Sequence, residues 1–112
     1  MVQVLTRYCG KSLKATEDTI VSCEQNQGFV VHSIWVTNTH ASDTKYTIRH
    51  VPKDQTSSSE FDLASNVPLE SNTVTVFPTT TKIYLLPGDK LTAFAETAGR
   101  VSMFVYGDLS SV

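Results

Sequence analysis

The sequence has no apolar run near the roughly 20 residues that a membrane-spanning helix needs. Its first residues, Met1–Arg7, lack the basic-then-apolar pattern of a secretory signal. Charge is also sparse and mixed, with nine Lys and Arg scattered among 11 Asp and Glu for a net charge of −2. A nucleic-acid binder usually shows a basic stripe instead. We therefore expect a cytosolic chain with neither a membrane nor a nucleic acid as its partner.

Cysteine is scarce, with only Cys9 and Cys23 present. A disulfide between them would close a loop of about 14 residues and contribute around 3 kcal/mol. Disulfides are uncommon in chains that are not exported, so free thiols are the expectation. The spacing alone leaves the pairing open.

Motifs of enzymatic chemistry are absent. His32, His40 and His50 are eight and ten residues apart, unlike the short ligand pairs of zinc motifs. No Gly-x-Ser-x-Gly elbow occurs, and neither cysteine has a basic neighbour in sequence. The sequence therefore predicts a non-enzymatic protein with no catalytic residue, cofactor or metal. A cupin-like enzyme with a metal on the three histidines is the enzymatic alternative.

The segment Phe29–Thr39 is rich in β-branched and aromatic residues, which favour strands. Strict alternation would place Phe29, Val31 and Trp35 on one face and Val30, Ile34 and Val36 on the other. Apolar residues on both faces predict a central strand that is covered on both sides. Trp35 is accordingly expected to be buried.

Further strand patterns follow at regular intervals. Thr44–Arg49 alternates, with Tyr46 and Ile48 inward, and is interpreted as the hairpin partner of the preceding strand. Pro87-Gly88 predicts a tight turn. Lys90–Glu96 and Arg100–Tyr106 are interpreted as a final hairpin.

No apolar period of 3.6 residues persists for three turns, so helix is expected to be nearly absent. About eight strands predict an all-β fold, a single antiparallel β-sandwich or jelly-roll-like domain. Residues 1–28 are assigned to an N-terminal strand and a possible arm, and residues 29–112 to the sandwich core of the same domain.

The final strands carry more aromatic surface than one core face requires. Alternation places Phe94, Phe104 and Tyr106 opposite the small and aliphatic residues of their strands, with Tyr84 nearby. Aromatic residues are enriched in interface cores. We predict a protein interface formed by Tyr84, Phe94, Phe104 and Tyr106. The alternative is a second layer of the same domain.

Five segments, taken in order, resemble the strand patterns of small structural proteins from tailed-phage particles. They are Val31–Thr39 (β-branched residues, then Val-x-Asn), Tyr46–Arg49, Val67–Asn72, Leu85–Ala93 (Leu-x-Pro-Gly-Asp-x-Leu-x-Ala) and Val105–Gly107. The resemblance runs from about Phe29 to the C-terminus, and each element is by itself a generic β pattern.

The resemblance implies a virion structural protein, assembled in the host cytoplasm. The most plausible role is a capsid decoration (cement) protein that stabilises the head through contacts between subunits. Its implied partners are further copies of itself and the major capsid protein or tail proteins. A trimer is expected because shell lattices offer threefold positions. The alternatives are a tail, baseplate or fibre-adaptor component, or a carbohydrate-binding β-sandwich in which Trp35 or a Tyr84–Phe104–Tyr106 platform stacks on sugar rings.

Overall fold

The computed structural model of the chain describes residues 3–77 and 82–111. Nine strands and one short 3-10 helix occur within these residues: β1 Gln3–Ser12, β2 Asp18–Ser22, β3 Gln27–Asn38, β4 Thr44–Val51, the 3-10 helix Ser59–Phe61, β5 Asp62–Leu69, β6 Thr73–Phe77, β7 Ile83–Leu85, β8 Lys90–Ala95 and β9 Val101–Ser111. None of the helical turns in the described ranges has the length and apolar character needed to cross a membrane.

The strands form two antiparallel sheets. The larger sheet has the order β1-β9-β3-β6, and β7 also pairs with β3. β9 pairs along one edge of β3. The other edge of β3 is shared by β6 and β7, which together take the place of one strand. The smaller sheet has the order β2-β8-β4-β5. With β6 and β7 taken together, this is the eight-strand arrangement of a jelly roll, and the predicted all-β sandwich is confirmed.

Both hairpins predicted from the sequence are wrong. β3 lies in the larger sheet and β4 in the smaller, and β8 and β9 are likewise in different sheets. Turn-forming residues mark where a chain reverses, but they do not distinguish a hairpin from a connection that crosses to the facing sheet. The consecutive strands that do pair in the smaller sheet are β4 and β5, with Thr44 opposite Leu69 and Arg49 opposite Asp62.

The first two strands are part of the sheets. β1 pairs with β9, and β2 pairs with β8. β1 continues through Gly10 to Ser12. An arm that reaches a neighbouring subunit stays a prediction.

A β-bulge decides which side of β3 enters the core. Val31 lies opposite Gly107 and Ser33 lies opposite Tyr106, so His32 is an extra residue on β3. The extra residue reverses the alternation at this point. As a result, the buried apolar side chains of β3 all lie on one face: Phe29, Val31, Ile34 and Val36. The prediction of a strand covered on both sides is wrong, and Trp35 is 43% exposed.

Two glycines meet specific backbone demands. Asp89 N donates to Leu86 O at 2.9 Å across the Pro87-Gly88 turn, and Gly88 has φ +89°. This confirms the predicted turn, whose third residue needs positive φ. Gly107 lies directly against β3, where an added Cβ would overlap the carbonyl oxygen of Val30 and come within 2.9 Å of Phe29.

We expect Gly107→Ala to lower the free energy of unfolding by about 2–3 kcal/mol, because a methyl group forced between paired strands displaces the backbone. Gly99→Ala is the control. Gly99 has φ +80° but no heavy atom within 4 Å of an added Cβ. That variant should lose only about 1 kcal/mol, from the left-handed backbone alone. Urea unfolding measures both, and equal losses would contradict the close approach at Gly107.

Candidate interaction surface

Apolar side chains cover much of the outer face of the larger sheet. We name this surface the apolar outer face; it consists of Val30, Trp35, Val74, Val76, Tyr84, Phe104 and Tyr106. These residues alternate along their strands with side chains that point into the core.

The register places these residues side by side across four strands. Trp35 lies opposite Val76 of β6 on one side and opposite Phe104 of β9 on the other. Val30 lies opposite Tyr84 of β7. The apolar outer face is therefore continuous from β6 across β3 to β9 around Trp35, and its second part, Val30 and Tyr84, lies beyond His32 and Ser33 along β3.

Three members of this face are well exposed: Tyr84 by 62%, Val74 by 50% and Trp35 by 43%. The other four are half-buried. Single exposed apolar residues are normal, but a group of large ones on one sheet face is typical of a contact surface. The exposure therefore marks this face as the candidate site.

Polar groups lie among the apolar residues on the same face. His32 Nε2 lies 2.8 Å from Asp108 Oδ2, and both side chains are half-buried. Trp35 Nε1 donates to Ser33 Oγ at 3.3 Å. Protein interfaces combine apolar contacts with hydrogen-bonding groups in this way.

The outer face of the smaller sheet has a different covering. Arg49 Nε donates to Asp62 Oδ1 at 2.7 Å, and Arg49 Nη1 donates to Glu17 Oε1 at 2.8 Å. The guanidinium lies 5.1 Å from the centroid of the Phe94 ring, within cation–π range. Thr92 also faces outward but is buried, and its hydroxyl donates to Glu17 Oε2 at 2.6 Å. Charged and polar groups of this chain thus already cover much of that face.

The structure therefore divides the four residues that the sequence predicts as an interface. Tyr84, Phe104 and Tyr106 lie together on the apolar outer face. Phe94 lies on the other sheet, on the opposite side of the sandwich, beneath Arg49. The grouping of all four depends on the incorrect β8–β9 hairpin, which would have put them in one sheet. Sequence reasoning also missed Val74, whose exposure depends on the position of β6 at the edge of the larger sheet.

Glu17 joins the loop before β2 to β4, β8 and the loop before β5. Burial raises the pKa of its carboxyl. Hydrogen bonds from Ser57 and Thr92, together with the charge of Arg49, lower the pKa by more than burial raises it, so the net shift is downward. The ionised carboxylate is therefore the form that the fold stabilises.

Asp89 has a similar role at the end of the sandwich. Its carboxylate accepts hydrogen bonds from Leu86 N and Lys53 N, both at 3.0 Å, and lies 2.9 Å from His50 Nε2. Burial raises the pKa of Asp89, but these three contacts outweigh it and lower the pKa overall. The Asp89 carboxylate thus holds the Pro87-Gly88 turn against the segment after β4, and its role is structural.

The three histidines are not brought together. His32 is on the outer face of the larger sheet, His50 contacts Asp89, and His40 is exposed in the β3–β4 connection. Within residues 3–77 and 82–111, no three His, Cys, Asp or Glu side chains converge as metal ligands would. This arrangement gives the cupin-like alternative no support.

Cys23 is a free, buried thiol whose Sγ donates weakly to Leu85 O at 3.8 Å. Burial raises the pKa of this thiol, and the negative charge of Asp89 raises it further. A thiol with a raised pKa is a poor nucleophile at neutral pH. The side chain of Cys9 lies outside the part of the chain that the structure describes.

A shallow depression of about 230 Å³ is lined by Asp43, Thr44, Lys45, Pro68 and Glu96. Sites for drug-sized ligands usually enclose about 300–1,000 Å³ and are mostly apolar. The depression is smaller than this and open to solvent, so it does not have the form of such a site.

No family model and no curated protein matches this chain. Among solved structures, it is similar to a chain from the disulfide-linked pili of Bacillus endospore appendages, at 12% identity over 99% of this chain and 88% of that chain, with a TM-score of 0.57. Tobacco streak virus coat protein is 16% identical over 99% of this chain and 85% of its own, with a TM-score of 0.49. A chain of infectious bursal disease virus, Gx strain, is 13% identical over 96% of this chain but only 30% of its own, with a TM-score of 0.48. At such identities the likeness is one of fold alone.

The lowered pKa values of Glu17 and Asp89 predict a specific dependence of stability on pH. A carboxyl whose pKa is lower in the folded than in the unfolded chain stabilises the fold above its unfolded value, here near 4.5 and 3.8, and loses this effect as the pH falls through the folded value. The double variant Glu17→Gln, Asp89→Asn should therefore be less stable than the native chain at neutral pH. Urea unfolding measures the difference in the free energy of unfolding between the native chain and the variant. This difference should be largest above about pH 5 and should disappear as the pH falls below about 4. A difference that is independent of pH would contradict the assignment.

Trp35 is the one tryptophan of the chain and so reports on the apolar outer face directly. Because its indole is 43% exposed, we expect red-shifted emission and efficient quenching by acrylamide in the isolated protein. The fluorescence of a Trp35→Phe variant provides the blank. Blue-shifted emission that resists quenching in a monomeric sample would place the indole in the core and contradict the bulge at His32.

Proposed function

We propose that this chain is a non-enzymatic structural protein of a virus particle, and specifically a decoration protein on the capsid of a tailed phage. The observation that supports the proposal is the difference between the two sides of the sandwich. One side presents the apolar outer face, and the other is covered by the Arg49 network. A surface of this kind is suited to contact.

The physical requirements of a decoration protein fit a small jelly roll. Each copy contributes a modest contact, and many contacts sum when a regular shell presents its sites in register. The exposed aromatic residues supply apolar area with few rotatable bonds, so little conformational entropy is lost on docking. The partners under this proposal are the major capsid protein and further copies of this chain, and its location is the virion after assembly in the host cytoplasm.

Two details of the proposal are the number of subunits in the oligomer and the position of the chain in the particle. A trimer follows only from the threefold positions of shell lattices, and no feature of the chain favours it. A place in the tail, baseplate or fibre adaptor is the alternative within the same class. The number of copies in purified particles separates the two, since a decoration protein approaches the copy number of the major capsid protein.

A carbohydrate-binding role is a second candidate, favoured by the exposure of Trp35 and Tyr84 on one face. Flat aromatic rings on a sheet surface offer the apolar contact that sugar rings need. Oligosaccharides that bind there should quench or shift Trp35 fluorescence in the isolated protein. The structural role predicts no change with any sugar, and protection of Trp35 only when the chain is on particles.

Two substitutions of exposed residues on opposite sides of the sandwich test the role of the apolar outer face. Tyr84 is 62% exposed on this face, and Leu63 is 37% exposed on β5, at the edge of the smaller sheet. We expect Tyr84→Ser to lower the occupancy of particles reconstituted with purified chain about tenfold, through loss of an aromatic contact of roughly 1–2 kcal/mol. Leu63→Ser should bind as the native chain does.

Occupancy is measured by co-sedimentation with particles that lack the chain. Equal binding by the two variants would show that this face is not the docking surface. Absence of the chain from native particles would exclude the proposed role altogether.

A further inference from the structure

The two sheets have four outer edges, and three of them contain features that block the addition of another strand. On the smaller sheet, β5 contains Pro68, and Asn66 with φ +47°, and its pairing with β4 shifts register twice. Proline, bulges and charges are the usual means by which natural proteins protect sheet edges.

The other two protected edges use bulges and charges. β2 shifts register between Thr19 and Val21 and begins with Asp18, which lies 3.4 Å from Lys11 Nζ. β1 shifts register after Arg7 and contains both Arg7 and Lys11. Neither strand presents a flat, uncharged edge.

The fourth edge is shared by β6 and β7, and β6 contains none of these features. Its sequence, Thr73-Val74-Thr75-Val76-Phe77, has no charge, proline or glycine, and its pairing with β3 shows no register shift. Within the described ranges, β6 pairs only with β3 and ends the sheet. An uncharged edge of β-branched residues is a template for pairing with another strand.

We propose that β6 pairs antiparallel with β6 of a second copy of this chain, about a two-fold axis at Thr75. This register sets Thr75 opposite Thr75 of the second copy, and Val74 opposite Val76 of the second copy. Pairs of β-branched residues and pairs of threonines stabilise antiparallel strands. A strand that matches itself in this way suits the isologous contact of a two-fold dimer.

The strand that pairs with β6 is assigned to a second copy of this chain because the residues around β6 would also meet matching residues of that copy about the two-fold axis. Val74 and Val76 belong to the apolar outer face, and Val76 lies opposite Trp35. The two-fold pairing would join the outer faces of two copies into one apolar surface, with the larger sheets continuous across the axis. No charge lies on β6 to oppose a like charge of the other copy.

This contact deepens the proposed function and rests on it for its place in a particle, while its existence is tested on the isolated chain. It is a contact between copies, distinct from the contact of the apolar outer face with a shell. It also predicts pairs of subunits, in contrast to the trimer expected from shell geometry.

The first test measures mass in solution by sedimentation equilibrium over a range of concentrations. The native chain should rise from 12.3 kDa toward twice that mass. Val74→Lys should weaken this association by at least about tenfold, because a charged side chain would replace a β-branched residue that faces Val76 of the second copy, and lysine on an edge strand opposes the addition of another strand. Val74 is half-exposed in the single chain, so the substitution is compatible with the fold, and circular dichroism verifies this. Leu63→Lys is the control, since Leu63 is an exposed apolar residue on the edge strand of the other sheet.

The second test fixes the register by cross-linking in a Cys9→Ser background. Opposed residues of antiparallel strands have Cα atoms about 4.5–5.5 Å apart, which is within the range of a disulfide. Thr75→Cys should therefore give a covalent dimer on oxidation. Val74→Cys should give much less, because it would face Val76 of the second copy, although residue 74 is the more exposed of the two. Random collisions would produce the opposite order.

The pairing is overturned if the native chain stays at 12.3 kDa at all concentrations, or if it forms a trimer or other assembly that Val74→Lys leaves intact. It is also overturned if Val74→Cys cross-links as well as Thr75→Cys. Each of these results leaves the particle role to be decided by occupancy, so the two proposals fail separately.

Discussion

The pairing of β3 with β9, with one extra residue at His32, is the constraint on which the rest of this molecule depends. On one side of the bulge the buried residues are Phe29 and Val31, and on the other they are Ile34 and Val36. Without the extra residue, half of these side chains would point to solvent. Trp35 would then enter the core, and the apolar outer face would lose its centre.

The side chains on the two outer faces of the sandwich differ in what they contact. On the smaller sheet, Arg49 and Glu17 supply charges, hydrogen bonds and ring contacts from within the same chain. On the larger sheet, Trp35 and Tyr84 are left in contact with water. A partner that covered these two side chains would remove apolar surface from water.

The sequence predicts some of this structure well. The strand around Tyr46 and Ile48 and the Pro87-Gly88 turn were predictable because each depends on residues adjacent in the chain. The jelly-roll class followed from the number and spacing of such strands.

The errors arose where distant residues decide the outcome. Whether β8 turns back on itself or crosses to the facing sheet depends on which edges are available, so Phe94 was grouped with the wrong partners. The bulge at His32 depends on β9, some 75 residues further along the chain. Neither dependence leaves a local pattern.

The close approach of β9 to β3 at Gly107 has a consequence for tracing ancestry. Most positions of a sandwich accept many apolar or polar residues, so related chains diverge until their alignment becomes arbitrary. Position 107 disfavours any side chain, because the Val30 carbonyl occupies the space. A glycine in the last strand, facing a bulge in the third, is therefore a fixed point from which distant relatives of this chain can be aligned.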